Sequence, residues 1–560
     1  MKTWTTACPD WERRIVARES LITSPPLYPE EADAAWDVCG SLRLVDVAGQ
    51  PLLRDAALPW TRDLVRTIFG AYNADDGRRY INEYLLMLSK KNAKSTIAAA
   101  IMLTALIVNW RASAELLILS PTKEVADNSY KPIRDMIRAD KELTALIKVQ
   151  DYFRTVTHTQ SCATLKVVAA DADTVSGKKA SFVFVDELHE FGKQSKASNM
   201  LLEATGGLAS RPEGFVIYAT TQSAQPPAGV FKEKLKYARK VRDGEVIDPR
   251  FLPVIYEFPK HMLDAGAHKD LRNAYVTNPN WGASVDIPRI EQLHSQAIEG
   301  GELALQEFMA KHLNVELGLN LRSDRWAGSD FWQVQAKLPG LTLDTLLDRS
   351  EVVDVGIDGG GLDDLLGLAV VGRDKTTREW LTWTHAWAHP SVMERRKDIA
   401  PRLQDFARDG DLTLVQHIGD DVQDVAGIVA LIESRGLLDK VGCDPAGLGG
   451  ILDALVEADV PEAKLIGVSQ GWRLGGAIKT AERKLAEGVL VHGGQPLMAW
   501  CVGNAKVEPR ANSIMITKQA AGSAKIDPLM ALFNAVTLMS LNPESTAGMD
   551  DFLSNPVTSR

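Results

Sequence analysis

Two groups of residues in this chain have the types and spacing for phosphate chemistry. The first is Lys94-Ser95-Thr96, preceded by the polar stretch Ser89–Ala93 and followed by an apolar run. A helix starting here turns its unpaired N–H groups and positive dipole end toward phosphate oxygens. Asn92, Ala93, Lys94, Ser95 and Thr96 would form the cradle of an ATP site, with Lys94 as a point charge at the β/γ-phosphates and Ser95 as a hydroxyl for Mg2+. The pattern GxxxxGK[ST] is broken at both glycines, where Leu88 and Ala93 stand. That loss narrows the loop's backbone freedom. Taken alone, the segment also suits a basic helix start on a solvated surface.

Asp186-Glu187 strengthens the first interpretation. The apolar residues Phe182–Val185 deliver the pair to the end of a predicted strand. Asp186 can hold Mg2+ through its water shell and Glu187 can polarise an attacking water, roles that need adjacent carboxylates on a rigid element. The competing interpretation is a solvated turn after a strand. His189 is expected to cap or pack. Thr220, Thr221 and Gln222 follow the apolar Phe215–Ala219 and could sense a γ-phosphate. Phe231–Arg242 is rich in Lys and Arg, which suits either a phosphate backbone or a solvated helix face. Trp60, Phe69 and Gly70 are candidates to border an adenine.

The second group is acidic. Asp358, Asp363 and Asp364 crowd one glycine-rich turn, Asp444 ends a later strand and Asp527 begins a helix. Brought together, they could hold two divalent metals about 4 Å apart, which activate water and stabilise a leaving phosphate oxygen. All-oxygen donors favour Mg2+ or Mn2+. Each residue also has a plain structural use: Asp444-Pro445 and Asp527-Pro528 are ordinary helix starts, and Asp363-Asp364 suits a solvent-facing turn.

The elements that must position these residues follow an α/β pattern. Short apolar strands are predicted at 84–88, 116–119, 165–168, 182–185 and 215–219, separated by helical stretches. This indicates a mainly parallel sheet. Polar residues follow several strand ends, the edge where open α/β sheets bind ligands. Residues 285–320 have a helical pattern. A second α/β pattern has strands at 352–357, 366–371, 380–387, 412–418, 441–443 and 464–468, and a helix at 527–539. The expected domains are an N-terminal appendage (1–50), a P-loop domain (51–325), a linker (326–349), a second α/β domain (350–545) and a polar tail (546–560).

At 560 residues the chain is too long for one core. A net charge of -10 argues against coating nucleic acid over the whole surface, while leaving room for a local basic patch. The five cysteines form no CxxC pair, so neither a thiolate zinc site nor a disulfide scaffold is indicated. The first residues lack the apolar run of a signal peptide. The most apolar stretch, 97–108, is too short to span a bilayer. A soluble, cytoplasmic protein with no membrane association is expected.

The order of motifs resembles the large subunit of tailed-bacteriophage terminases. The resemblance runs through Lys91-Asn92-Ala93-Lys94-Ser95, Ser120-Pro121-Thr122, Val185–His189 and Thr220–Ser223. It continues through Gly356-Ile357-Asp358, Asp364-Leu365, Asp444-Pro445, His492-Gly493-Gly494, Trp500 with Asn504, and Lys525-Ile526-Asp527. It implies a P-loop ATPase joined to an RNase H-like nuclease. Lys94 and Ser95 would serve phosphate and Mg2+, Asp186 the Mg2+, Glu187 the water, and Thr220–Gln222 the coupling loop. Asp358, Asp444 and Asp527 would hold two Mg2+ or Mn2+ ions, with Asp364 in support. It further implies double-stranded DNA as substrate, a portal protein and a small terminase subunit as partners, and a pentameric ring on the procapsid in the host cytoplasm. Two other readings fit the motifs less fully: a helicase or repair ATPase with an attached nuclease, and a non-catalytic capsid-associated protein whose acidic turns only cap helices.

Overall fold

The computed structural model describes residues 4–169, 179–194, 197–316, 325–444, 449–510, 513–518 and 525–545. Pro445, residues 321–324 and the tail 546–560 lie outside them. The chain divides into two compact units, Met1–Leu317 and Gly318–Arg560.

The first unit is built on an eight-stranded sheet. In chain order its strands are β1 (Glu83–Met87), β2 (Glu115–Ser120), β3 (Ile147–Gln150), β4 (Thr155–His158), β5 (Thr164–Ala169), β6 (Ala180–Val185), β7 (Phe215–Thr220) and β8 (Phe251–Ile255). Their order across the sheet is β8-β1-β7-β6-β2-β5-β4-β3. Pairing is parallel from β8 to β5 and antiparallel in the β5-β4-β3 ribbon. Every residue of β6 and β7 is buried, as expected for strands covered on both faces. β1 runs through the loop 88–93 into helix α1 (Lys94–Ile107), most of which is buried. Because β7 lies between β1 and β6, the phosphate-loop candidate, Thr220 and Asp186 leave three adjacent parallel strands at one edge.

The predicted strands all form, but β3, β4 and β8 were not anticipated. The β8 sequence FLPVI carries Pro253, which argues against an interior strand. The proline is tolerated because β8 is the edge strand and pairs only with β1.

The second unit has a seven-stranded mixed sheet. Its strands are β9 (Ser350–Gly359), β10 (Leu365–Asp374), β11 (Trp380–Ala388), β12 (Leu412–Leu414), β13 (Leu438–Cys443), β14 (Leu465–Gly467) and β15 (Leu490–His492). The order is β12-β11-β10-β9-β13-β14, with β15 also paired to β11. The strand expected over 412–418 stops at Leu414, because the chain turns at Gly419 (φ +99°) into the helix Asp420–Ser434. Trp326 and Trp332, from the stretch 326–349, are buried in this unit's core, Trp326 edge-on to Phe533. A separate hairpin pairs β16 (Ala505–Arg510) with β17 (Ser513–Lys518).

Helix α2 (Asp527–Met539) lies against β9 and β10 at very short range. A Cβ at Gly356 would stand 1.9 Å from the carbonyl oxygen of Ala531, and one at Gly367 would stand 2.6 Å from the carbonyl carbon of Asp527. Only glycine permits this approach, which brings the first turn of α2 to the end of β9. No helix among the described residues is long and apolar enough to cross a membrane.

Two predictions follow from this packing. Gly356→Ala should destabilise the second unit by about 3 kcal/mol, since backbone rather than a flexible side chain blocks the methyl group. Gly427→Ala, in the helix Asp420–Ser434 with open space around it, should leave stability unchanged or slightly higher. Urea unfolding of the full-length variants checks both. A third prediction concerns Asp354, which is fully buried on β9. Burial, reinforced by Asp439, pushes its carboxyl up to about 8, while Lys440 and Arg373 pull the other way. The folded chain therefore keeps a proton that the unfolded chain has released, so Asp354 reduces stability as pH rises from about 4 toward 8. Thermal melts at pH 5 and pH 8 should differ less for Asp354→Asn than for the natural chain.

Candidate active sites

The loop entering α1 is bent by two left-handed residues that are not glycine, Lys91 (φ 73°) and Ala93 (φ 58°). Such a conformation costs an alanine about 1–2 kcal/mol, so it must be held from outside. Asn92 does much of the holding. It is fully buried, its Nδ2 donates to the Ser89 carbonyl (3.1 Å) and to Asn278 Oδ1 (2.7 Å), and its Oδ1 accepts from the Asn280 N–H (3.0 Å). Ser284 Oγ donates to the Lys91 carbonyl (2.8 Å) and the Lys90 N–H to the Lys311 carbonyl (2.8 Å). Asn92 thus turns its side chain into the fold and leaves only its backbone for a ligand. Lys94 is buried. Its Nζ donates to the Leu88 carbonyl (3.3 Å) and lies 3.9 Å from Glu187 Oε1. Ser95 and Thr96 sit half-buried in the first turn of α1.

Asp186 leaves β6 as a buried carboxylate. Its Oδ2 accepts from Ser129 Oγ (2.8 Å), while its Oδ1 is buried with no hydrogen-bond partner among the described residues. Burial and the adjacent Glu187 push its carboxyl up, against Ser129 and Lys94. An orphaned buried oxygen beside a helix start fits a hydrated Mg2+. Glu187 is itself left-handed (φ 54°, ψ 54°) and opens the short helix Leu188–Phe191. His189 packs as expected: its N–H donates to Thr220 Oγ1 (3.1 Å), and its Nδ1 lies 3.3 Å from Glu187 Oε2 and 3.4 Å from Thr221 Oγ1. On the far side, the Gln222 N–H donates to Asn314 Oδ1 (3.0 Å) and its side chain to Glu316 Oε2 (3.4 Å).

Sequence reasoning missed Ser129, Asn278 and Asn314. Only Ser129 had a visible signal: Thr122 caps the helix Lys123–Arg138, and Ser129 lies two turns along it. The structure gives packing partners to residues whose use the sequence left open. Phe69 is buried against Phe215 and Gly70 is pressed against the Arg66 carbonyl. Trp60 Nε1 donates to Asn280 Oδ1, steadying the loop's brace. In the basic helix Gly229–Arg242, Lys234 pairs with Glu83, and Arg239 and Arg242 pair with the buried Glu257, so these charges fasten the helix to the sheet.

In the second unit, β9 and β13 are parallel neighbours with Ile357 opposite Cys443. Asp358 and Asp444, each one residue past that pair, stand side by side, Asp358 still paired with Gly367 of β10. Asp527 arrives on α2. Together with Asp364 these residues line one cavity of about 460 Å³. Asp363 does not line it and pairs instead with Arg396 (2.8 Å). Asp364 accepts from the buried Lys525 Nζ (2.6 Å), which also donates to the Asp363 carbonyl (2.8 Å), and Asn504 Nδ2 holds the Lys525 carbonyl (3.0 Å). His492 stacks on Trp332 within the core. Among the described residues, no three His, Cys, Asp or Glu side chains are gathered closely enough to hold one metal ion. The donor set is nonetheless purely carboxylate and shares one cavity, which fits a hard divalent cation.

Comparison with known families covers most of the chain. A profile described as terminase large subunit, ATPase domain, matches residues 59–240, and one described as terminase large subunit, endonuclease domain, matches residues 255–542. The chain belongs to the terminase large-subunit family. It is 23% identical over 470 residues to the terminase large subunit of Lactococcus phage p2, covering 82% of each chain. It is 21% identical over 528 residues to the large subunit of Enterobacteria phage HK97, covering 91% of this chain and 95% of that one. The crystal structure of the HK97 bacteriophage large terminase aligns with 90% of this chain and 99% of its own, at 17% identity and a TM-score of 0.47. The two family matches, with the α/β sheets described above, bear out the expected organisation: an ATPase domain and a nuclease domain in one terminase chain, which implies a role in DNA packaging.

The loop of this terminase makes one departure testable. Ala93→Gly removes a left-handed alanine and adds glycine's unfolded-state entropy of about 0.5–1 kcal/mol. The variant should melt at the same temperature as the natural chain or slightly above it. A clear drop in the melting temperature would show that the loop carries no strain at Ala93.

Proposed function

We propose that this chain is the motor and the cutter of a phage packaging machine. It would hydrolyse ATP to drive double-stranded DNA into a procapsid and cleave concatemeric DNA by metal-dependent phosphodiester hydrolysis. The observation that carries this reading is the meeting of Lys94, Asp186 and Glu187 at one sheet edge and of Asp358, Asp444 and Asp527 around one cavity.

In the ATPase, the N–H groups of 92–96 and the Lys94 ammonium bind the phosphates. Ser95 and Asp186 hold Mg2+. Glu187, kept in place by its strained backbone and by His189, orients the attacking water. Through His189, Thr220, Thr221 and Gln222 connect the Glu187 side chain to Asn314 and Glu316, which gives the coupling loop a route for the nucleotide state. In the nuclease, Asp358, Asp444 and Asp527 hold two Mg2+ or Mn2+ ions. Asp364 supports them with its charge partly offset by Lys525. Bound divalent ions would activate water and stabilise the charge on the phosphate oxygens. The same reading places the chain in the host cytoplasm and, during packaging, in a pentameric ring on the portal with a small terminase subunit for DNA recognition. The family match favours this reading over a helicase-type ATPase or a non-catalytic capsid protein.

The two activities should separate. Lys94→Ala should lower phosphate release from ATP by on the order of 100-fold or more while leaving plasmid cleavage intact. Asp358→Ala should do the reverse, and EDTA should abolish cleavage by the natural chain. Cleavage undiminished in Asp358→Ala would remove the second site from this reading.

A further inference from the structure

Beside the acidic cavity stands a short turn that the nuclease chemistry leaves unused. Gln470 and Gly471 line the cavity, and Gly471–Leu474 form a single 3-10 turn. Both ends of the turn are fixed. Gln470 Nε2 donates to the Val468 carbonyl (3.1 Å) and to Asn534 Oδ1 (2.9 Å), and Asn534 Nδ2 donates to the Ile357 carbonyl (2.9 Å), the residue before Asp358. Leu474 is buried at the other end. Gly471 is left-handed (φ +69°), which turns the chain outward between these anchors. The two residues so presented are Trp472, 60% exposed, and Arg473, whose guanidinium lies 5.4 Å from the Trp472 ring centroid.

An indole and a guanidinium held side by side offer a stacking face and a cation. The lining carboxylates Asp358, Asp364, Asp444 and Asp527 repel a phosphodiester wherever metal ions do not offset them, so a cation at the lip helps a strand to enter. Arg473 is that cation, one residue beyond a ring able to stack on a base. Every base has a π-face, so such stacking holds unpaired DNA with little regard to sequence. Bases inside a duplex present only their edges, so the ring favours a strand unpaired beside the cut. We propose that Trp472 and Arg473 form a strand-holding lip of the nuclease cavity. Trp472 stacks on a base unpaired next to the scissile phosphate, and Arg473 pairs with the adjoining phosphate. This inference rests on the nuclease reading of the cavity.

The test measures binding of the full-length chain to a labelled single strand and to the matching duplex, in EDTA so that no cleavage occurs. Trp472→Ala should weaken single-strand binding about tenfold and duplex binding much less. Trp472→Phe should retain single-strand binding within about threefold. Arg473→Ala should lower the slope of log affinity against log salt by about 0.7. Unchanged single-strand binding in Trp472→Ala overturns the proposal. So does an equal loss on both substrates that phenylalanine does not rescue, because that would mean a structural role. A change in self-association by sedimentation with DNA binding intact also overturns it, in favour of a protein contact. Asp358→Asn, assayed for cleavage with Mg2+, separates the two ideas. If it loses cleavage while Trp472→Ala binds normally, the nuclease site stands and the lip falls. If it still cleaves, the site assignment itself is wrong.

Discussion

Both sites depend on the geometry of hydrogen-bonded parallel strands. The ladder fixes neighbouring strands about 4.8 Å apart and holds their register, so residues just past paired ends are neighbours whatever their distance in sequence. Val185 opposite Tyr218 and Met87 opposite Thr220 put Asp186, Thr220 and the loop 88–93 on one edge. Ile357 opposite Cys443 does the same for Asp358 and Asp444. Buried apolar strands make these edges rigid, and rigidity allows carboxylates to be held together despite their repulsion.

Holding charge in such places requires local strain and its compensation. Ala93 and Glu187 both sit in left-handed conformations that a side chain disfavours. Each is held by surrounding polar contacts, Ala93 by the Asn92–Asn278–Asn280 bracing and Glu187 by His189, whose own N–H is held by Thr220. Strain at functional positions persists when the surroundings over-determine it. The same logic governs charge in the second unit. Lys525, buried and bonded to Asp364, reduces the repulsion among four carboxylates lining one cavity and ties the acidic turn to the start of α2.

The acidic cavity of the second unit also shows what a missing side chain can accomplish. Gly356 and Gly367 leave space that the backbone of α2 fills, and Asp527 reaches the cavity through that contact. Asn534, on the same helix, bonds both the end of β9 and Gln470, so helix, strand and lip move together if they move at all.

Much of the fold and of both sites was legible in the sequence. Apolar runs ending in Asp186-Glu187, Thr220 and Asp358 announced buried strands with polar ends, because period and composition are local properties of the chain. Lys94, Ser95 and the acidic residues were visible as chemistry for the same reason. The edge strand β8 was hidden by Pro253, whose meaning depends on which neighbour it pairs with. The roles of Asn92, Ser129, Asn278 and Asn314 were hidden because a buried amide or hydroxyl takes its function from distant partners. Asp363 and Asp364, adjacent in sequence, were separated only by folding, one to Arg396 and the other to the cavity and Lys525. The sequence by itself determined which groups could act and which segments would be strands. The tertiary structure decided which groups meet, because partners across a sheet or under a helix are set by register and close packing, and neither is written in the local order of residues.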